Sequence, residues 1–228
     1  MPDSVTKIGF SAFSESWLNE LKIGNSVKTI GDKAFYKTLI HSVEIPSSVE
    51  AIGIQAFSES SLFRLKINGG NLQQIGQKAF KKTYIEELKL PDNTEITIGE
   101  EAFSENFELN SVTIGNWTKK VSKKAFANNP NLTYATIKGS TEIEAQVFEN
   151  CPKLKVIDFE YGKPTMDYQG NKQTVMIRIR NAAQIEGIMY PNIFEISENL
   201  YAKAIKRNQP EIKIIETKSP YSDDDDAR

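Results

Sequence analysis

The feature that most constrains this chain is a motif, Ile-Gly-x-x-Ala-Phe, that recurs seven times at a step of 22 or 23 residues. A clear copy spans residues 30–35, and the motif drifts in the last two repeats, where Ser122 and Glu144 replace the glycine. The phenylalanines of the seven copies are Phe13, Phe35, Phe57, Phe80, Phe103, Phe126 and Phe148. A fixed period this short indicates a solenoid, because each unit can bury its apolar residues only against its neighbours.

A second pattern, apolar-x-x-apolar-x-apolar, begins five or six residues after each phenylalanine. In the third repeat it consists of Leu62, Leu65 and Ile67. Its last two positions alternate with polar residues, which predicts a short strand with one buried face. One such strand per repeat predicts a parallel sheet, and the motif half of each repeat then supplies the crossover. We expect that crossover to contain a tight turn at the glycine and a short helical turn.

A small polar residue lies three positions after each phenylalanine, and we call this set the polar column. Its members are Ser16, Thr38, Ser60, Thr83, Asn106, Asn129 and Cys151. We expect these side chains to bond backbone groups that the turns leave unpaired. By the same reasoning Cys151 is a small buried turn residue and not a nucleophile.

The units read as a strand, then Pro-x-Ser-Val as in residues 46–49, then Ile-Gly-x-x-Ala-Phe and the polar column. Over about residues 2–160 this order resembles the BspA-like leucine-rich repeats. The resemblance implies an α/β fold, a right-handed leucine-rich-repeat arc with a parallel sheet on the inner face and short helical turns opposite. It also implies a surface or secreted protein of a bacterium or parasitic protist that adheres to host matrix proteins, cells or other microbes. Residues 2–5 align with 46–49 without a preceding strand, so we expect the chain to start inside a longer array.

The period is lost after Phe159. Residues 160–173 are typical of a loop, alternation over 175–179 predicts a strand, and residues 212–215 predict another. The spacing of Ile193, Ile196, Leu200 and Ala204 predicts a helix over 192–207. We interpret residues 1–160 as the repeat array, 161–216 as a C-terminal capping unit and 217–228 as an acidic tail. The four consecutive aspartates of the tail favour a solvated segment over a calcium loop, because they lack spaced ligands.

Composition excludes several classes of function. The net charge of −2 argues against nucleic-acid binding, and no apolar run is long enough to predict membrane insertion. His41 is the only histidine and Cys151 the only cysteine, which leaves no catalytic constellation, zinc spacing or cofactor motif. An enzyme would need its chemistry in residues 160–216, which offer Asp167, Tyr168 and Arg180. We therefore predict no enzyme activity, no catalytic residue, no metal and no cofactor.

The outward positions of the predicted strands form the best candidate binding surface, since curved arrays bind on such extended faces. The candidate residues on it are Arg64, Lys66, Glu87, Lys89 and Tyr134. Arginine and tyrosine are favoured interface anchors, although mixed charge is also typical of any solvated sheet.

We interpret the chain as a monomeric, non-catalytic protein-binding module, a fragment of a cell-surface or secreted adhesion protein. Its expected partner is a protein, such as a host matrix or cell-surface protein. Two alternatives stay open: a structural spacer within a longer multi-repeat protein, and an intracellular interaction scaffold.

Overall fold

The computed structural model describes residues 1–160 and, beyond them, the backbone of four short strands. The described strands, in chain order, are β1 (Lys7–Ile8), β2 (Thr29–Ile30), β3 (Ser42–Ile45), β4 (Ala51–Ile52), β5 (Arg64–Ile67), β6 (Gln74–Ile75), β7 (Glu87–Lys89), β8 (Thr97–Ile98), β9 (Ser111–Ile114), β10 (Lys120–Val121), β11 (Tyr134–Ile137), β12 (Glu142–Ile143), β13 (Val156–Phe159), β14 (Thr165–Met166), β15 (Met176–Ile179), β16 (Glu195–Ser197) and β17 (Lys213–Ile215).

From the second repeat on, each repeat of the array contributes two strands, one to each of two parallel ladders; the first repeat contributes only β1, and the long strand expected after Phe13 is not found. The two-residue strands form one sheet in the order β1-β2-β4-β6-β8-β10-β12-β14. The longer strands form the pair β3-β5 and the sheet β7-β9-β11-β13-β15. Equivalent residues of successive repeats pair in register, as Ser42 does with Arg64 and Tyr134 with Val156. The predicted parallel sheet is confirmed, and the ladder of short strands is an addition to it.

The expected helical turns are not found, and the described residues contain no helix. The crossover is instead a run of turns in which the residues two before and two after each phenylalanine have positive φ, such as Lys33 at 54° and Lys37 at 53°. Such residues interrupt a right-handed helix. Every second backbone amide of the crossover donates a hydrogen bond to a carbonyl of the next repeat, as Phe35 N does to Ala56 O at 2.7 Å. The α/β class is therefore corrected to a parallel-strand β-solenoid of about seven turns.

The core is one continuous cluster that runs the length of the array. The seven phenylalanine rings stack in a column with centroids 4.9–5.7 Å apart and ring planes within 17° of parallel. The motif alanines from Ala34 to Ala125 are fully buried beside them. A small residue there leaves the space that the ring column occupies, as the sequence predicts.

The motif glycines from Gly31 to Gly99 mark a close approach between the backbones of neighbouring repeats. A β-carbon on Gly76 would lie 2.6 Å from the carbonyl carbon of Gly53, a distance that side-chain atoms do not tolerate. The glycine is thus required by backbone contact between repeats, and not by the start of a helical turn.

Beyond residue 160, β14 pairs with β12 and β15 pairs with β13, so both ladders gain one further strand. The strand predicted over 175–179 is confirmed by β15, and that over 212–215 by β17. The helix predicted over 192–207 is wrong at Glu195–Ser197, which is a strand paired with β17. Its apolar residues Phe194 and Ile196 also alternate with polar ones, the strand period. The division into a capping unit and an acidic tail stays a prediction, and residues 217–228 lie outside the described residues.

Candidate protein-binding surface

The outward positions of the long strands form a solvent-facing surface that we call the sheet face. In β3, Ser42 and Glu44 are exposed while Val43 and Ile45 are buried, and β7 follows the same alternation. The structure places all five candidate residues on this face. Arg64 and Lys66 lie on β5, Glu87 and Lys89 on β7, and Tyr134 on β11.

The lysines of the sheet face are already paired with carboxylates. Lys66 Nζ lies 2.8 Å from Glu44 Oε1 on the neighbouring strand, and Lys89 Nζ lies 2.9 Å from Glu87 Oε1 on the same strand. Hydrogen bonds donated by Lys66 and then Asn68 lower the pKa of the Glu44 carboxyl. Two of the three central cations are therefore locally neutralised.

Arg64 differs from these lysines because it forms no ion pair with any carboxylate in the described part of the chain. Its guanidinium carbon instead lies 5.3 Å from the ring centroid of Phe63. The Phe63 ring in turn contacts the exposed His41 ring at 5.8 Å. An arginine over an aromatic face is held by cation–π attraction while its donors stay available.

Tyr134 stands apart from the other four candidates, because β9 separates its strand from β7. Its hydroxyl donates a hydrogen bond to the Asp158 carboxylate, and Asp158 is only 1% exposed. The structure thus brings four of the predicted residues together. The fifth, Tyr134, lies apart from them and is hydrogen-bonded to Asp158.

The ladder of long strands is interrupted between β5 and β7. These strands remain neighbours, yet they belong to different sheets and do not pair as ladder partners. Two depressions of about 410 and 350 Å³ lie at this break, and they share Leu65, Lys66 and Glu87. We call them together the central groove. Its floor includes Leu65, which is partly exposed although the equivalent Val43 and Leu88 are buried.

The central groove was not predicted from the sequence. Leu65 carries no signal, because it matches its buried equivalents in neighbouring repeats. Phe63 does carry a signal in the sequence. The same position holds the polar residues Asn19, His41 and Glu86 in other repeats, so a phenylalanine there is unexpected for a solvated surface.

The polar column is buried between the phenylalanine column and the long strands, and its predicted backbone bonding is confirmed. Thr38, Ser60 and Thr83 each donate from the hydroxyl to the carbonyl of the phenylalanine three residues earlier, at 3.0, 2.7 and 3.3 Å. The asparagines extend this pattern across repeats. Asn129 Nδ2 donates to Phe126 O at 2.8 Å and to Phe103 O at 3.0 Å, and Asn129 Oδ1 accepts from Asn106 N at 2.7 Å.

Cys151 occupies the last position of the polar column. Its Sγ lies 3.2 Å from Phe126 O of the preceding repeat, where it donates as an asparagine amide does in the repeats before it. Burial raises the pKa of its thiol to about 12. A thiol held protonated in this way is a poor nucleophile, in agreement with the predicted structural role.

A half-buried ion network links the crossovers of the fourth and fifth repeats. Lys81 Nζ lies 2.5 Å from Glu101 and 2.9 Å from Glu105, and Lys78 Nζ lies 3.7 Å from Glu101. Partial burial by itself would raise the pKa of the Glu101 carboxyl, but the hydrogen bonds and charges of Lys81 and Lys78 outweigh it and lower that pKa. The network lies away from the sheet face and stabilises contact between repeats.

We expect acid to weaken this network. The pKa of Glu101 is lower in the folded than in the unfolded state, so its contribution is present above its unfolded value of 4.5 and is lost as pH falls through the folded value. Glu101→Gln should cost about 1 kcal/mol of unfolding free energy at pH 7 and less at pH 3. Urea unfolding at both pH values measures this. Glu108→Gln, an exposed site outside the network, should change little, and an equal loss at both pH values for Glu101→Gln would contradict the linkage.

The described residues hold no cluster of three or more histidine, cysteine or acidic side chains arranged for a metal ion. Within the same residues, no helix has the length and apolar character needed to span a membrane.

Residues 1–96 and 73–203 match the family described as BspA type leucine rich repeat region, with six copies. Because these segments cover most of the sequence, the chain belongs to this family. No curated protein matches it in sequence.

Solved structures of similar proteins include a leucine-rich repeat protein from Bacteroides ovatus, 18% identical with a TM-score of 0.46, where the match covers 87% of this chain and 68% of that one. The pneumococcal vaccine antigen PcpA is also 18% identical, with a TM-score of 0.45 and coverage of 96% and 78%. A leucine rich cell surface protein from Faecalibacterium prausnitzii is 20% identical, with a TM-score of 0.34 and coverage of 75% and 59%. At these identities and TM-scores the likeness carries no information about function.

Proposed function

We propose that this chain is a non-catalytic protein-binding module that engages its partner through the sheet face. The observation that carries the proposal is the central groove, where Arg64 is exposed and the core-facing Leu65 is partly uncovered between two strands that do not pair as ladder partners. The contact area comprises Arg64, Lys66, Glu87 and Lys89, with Tyr134 at its far side. Arginine beside exposed apolar surface is the composition typical of an interface anchor.

The repeat family supports a place on a cell-surface or secreted protein, with a role in adhesion or host interaction. The partner is then a host matrix or cell-surface protein, and the module acts as a monomer. Two competing functions are a spacer within a longer repeat protein and an intracellular scaffold, and the following experiment separates the adhesion module from both.

The test is a binding screen of the full chain against purified matrix proteins and host-cell surface proteins. The triple variant Arg64→Glu, Lys66→Glu, Lys89→Glu should bind more weakly, with a slower on-rate and altered salt dependence, because charges at an interface steer association. A matched control reverses three crossover lysines, Lys33→Glu, Lys37→Glu and Lys82→Glu, at positions where other repeats already carry glutamate. Loss of binding in the control alone would place the site on the crossovers. Binding to none of these proteins would favour the spacer or the intracellular scaffold over the adhesion module.

A further inference from the structure

We propose that the central groove recognises an extended partner segment in which an acidic side chain and an apolar one lie two residues apart, on the same side of the segment, with Arg64 binding the acid. This inference rests on the proposed function and names its recognition chemistry. The two depressions that form the groove run along β5 and β7 from Ser42 and Phe63 at one end to Pro91 at the other. A shallow channel parallel to strands suits an extended chain, which presents alternate side chains to it.

The charges lining the groove select the position of the acid. Lys66 and Lys89 are occupied by Glu44 and Glu87, whereas Arg64 has no carboxylate partner among the described residues. The β7 side of the groove also carries Glu86, which repels an acidic group. A partner carboxylate is therefore directed to β5, where the planar guanidinium can bind both of its oxygens at once.

The surroundings of Arg64 prepare it for this contact. The Phe63 ring, 5.3 Å from the guanidinium carbon, restricts the arginine side chain before binding, so less conformational entropy is lost when a carboxylate arrives. Leu65 lies next to Arg64 in the chain and faces the floor of the groove. A partner residue two positions from the acid, on the same side of the extended segment, can cover this apolar surface.

The test is selection of displayed random heptapeptides on the full chain, followed by affinity measurement with synthetic copies of the enriched peptides. We expect enrichment of aspartate or glutamate two positions from an apolar residue. Arg64→Gln should weaken binding of these peptides at least tenfold, and Arg64→Lys should restore it only in part, because lysine keeps the charge and loses the planar fork. Lys22→Gln, an exposed change on the same face in the first repeat, should leave the affinity unchanged.

Enrichment without acidic residues, the absence of any enriched peptide, or equal affinity of wild type and Arg64→Gln would each overturn the inference. The proposed function has a separate readout. If a matrix or cell-surface protein binds wild type and loses binding in the triple variant while Arg64→Gln behaves as wild type, the module function stands and the recognition chemistry is wrong. If neither peptides nor proteins bind, the proposed function fails as well.

Discussion

Replacing Phe80 by alanine is expected to lower the free energy of unfolding by about 3–5 kcal/mol, the range for deleting a large ring from a packed core. The Phe80 side chain is fully buried, and its ring lies between those of Phe57 and Phe103 with both centroids 5.1 Å away. Because the Phe80 ring has neighbours on both sides, a cavity here removes ring contacts toward both halves of the array.

Urea or thermal unfolding of the full chain measures this loss. Tyr84→Ala is the matched control, since Tyr84 is an aromatic residue of the same repeat that is 53% exposed, and it should cost less than about 1 kcal/mol. A loss below about 1 kcal/mol for Phe80→Ala would mean that the ring column does not carry the stability of the array.

Replacing Asn129 by alanine is expected to cost about 3 kcal/mol, although the side chain is polar. Asn129 is fully buried, and its removal leaves Phe103 O and Asn106 N without the partner that it provides. Each buried backbone group left unsatisfied costs about 1–3 kcal/mol. Phe126 O keeps a donor in the Cys151 thiol, so it adds less.

Asn131→Ala provides the comparison for this change. Its Nδ2 also donates to a backbone carbonyl of the preceding repeat, Phe107 O, at 2.7 Å, but in an exposed setting where water can replace the bond. We expect a loss below about 1 kcal/mol, measured by the same unfolding curves. Equal losses for the two asparagine variants would show that the polar column contributes no more than surface bonds do.

Much of the fold could be predicted from the sequence because its main signals repeat. The 22–23-residue step and the period-2 alternation predict the stacked columns and the long strands. The crossover was misjudged because Ala and Phe three and four residues after the glycine mimic one helical turn. Its true conformation depends on bonds such as Lys33 N to Ile54 O, which link residues far apart in sequence. The short ladder was missed because two residues are too few to show an alternating pattern.

The candidate site could be predicted only in part. Alternation along β5 and β7 correctly assigns Arg64, Lys66, Glu87 and Lys89 to one face. The pairing of Lys66 with Glu44 and the contact of Arg64 with Phe63 depend on side-chain conformations, and these decide which cation is available. The hydrogen bonds of Asn129 to the preceding repeat likewise depend on the register between repeats, which a single repeat does not encode.

Amide hydrogen exchange of the full chain, alone and with a protein that binds it, tests most directly whether the sheet face is the contact surface. Backbone amides covered by a partner exchange more slowly. We expect slower exchange in peptides covering residues 62–68 and 85–91, and no change in the crossover residues 76–83. Slower exchange confined to residues 76–83, with the two strand segments unchanged, would contradict binding through the sheet face.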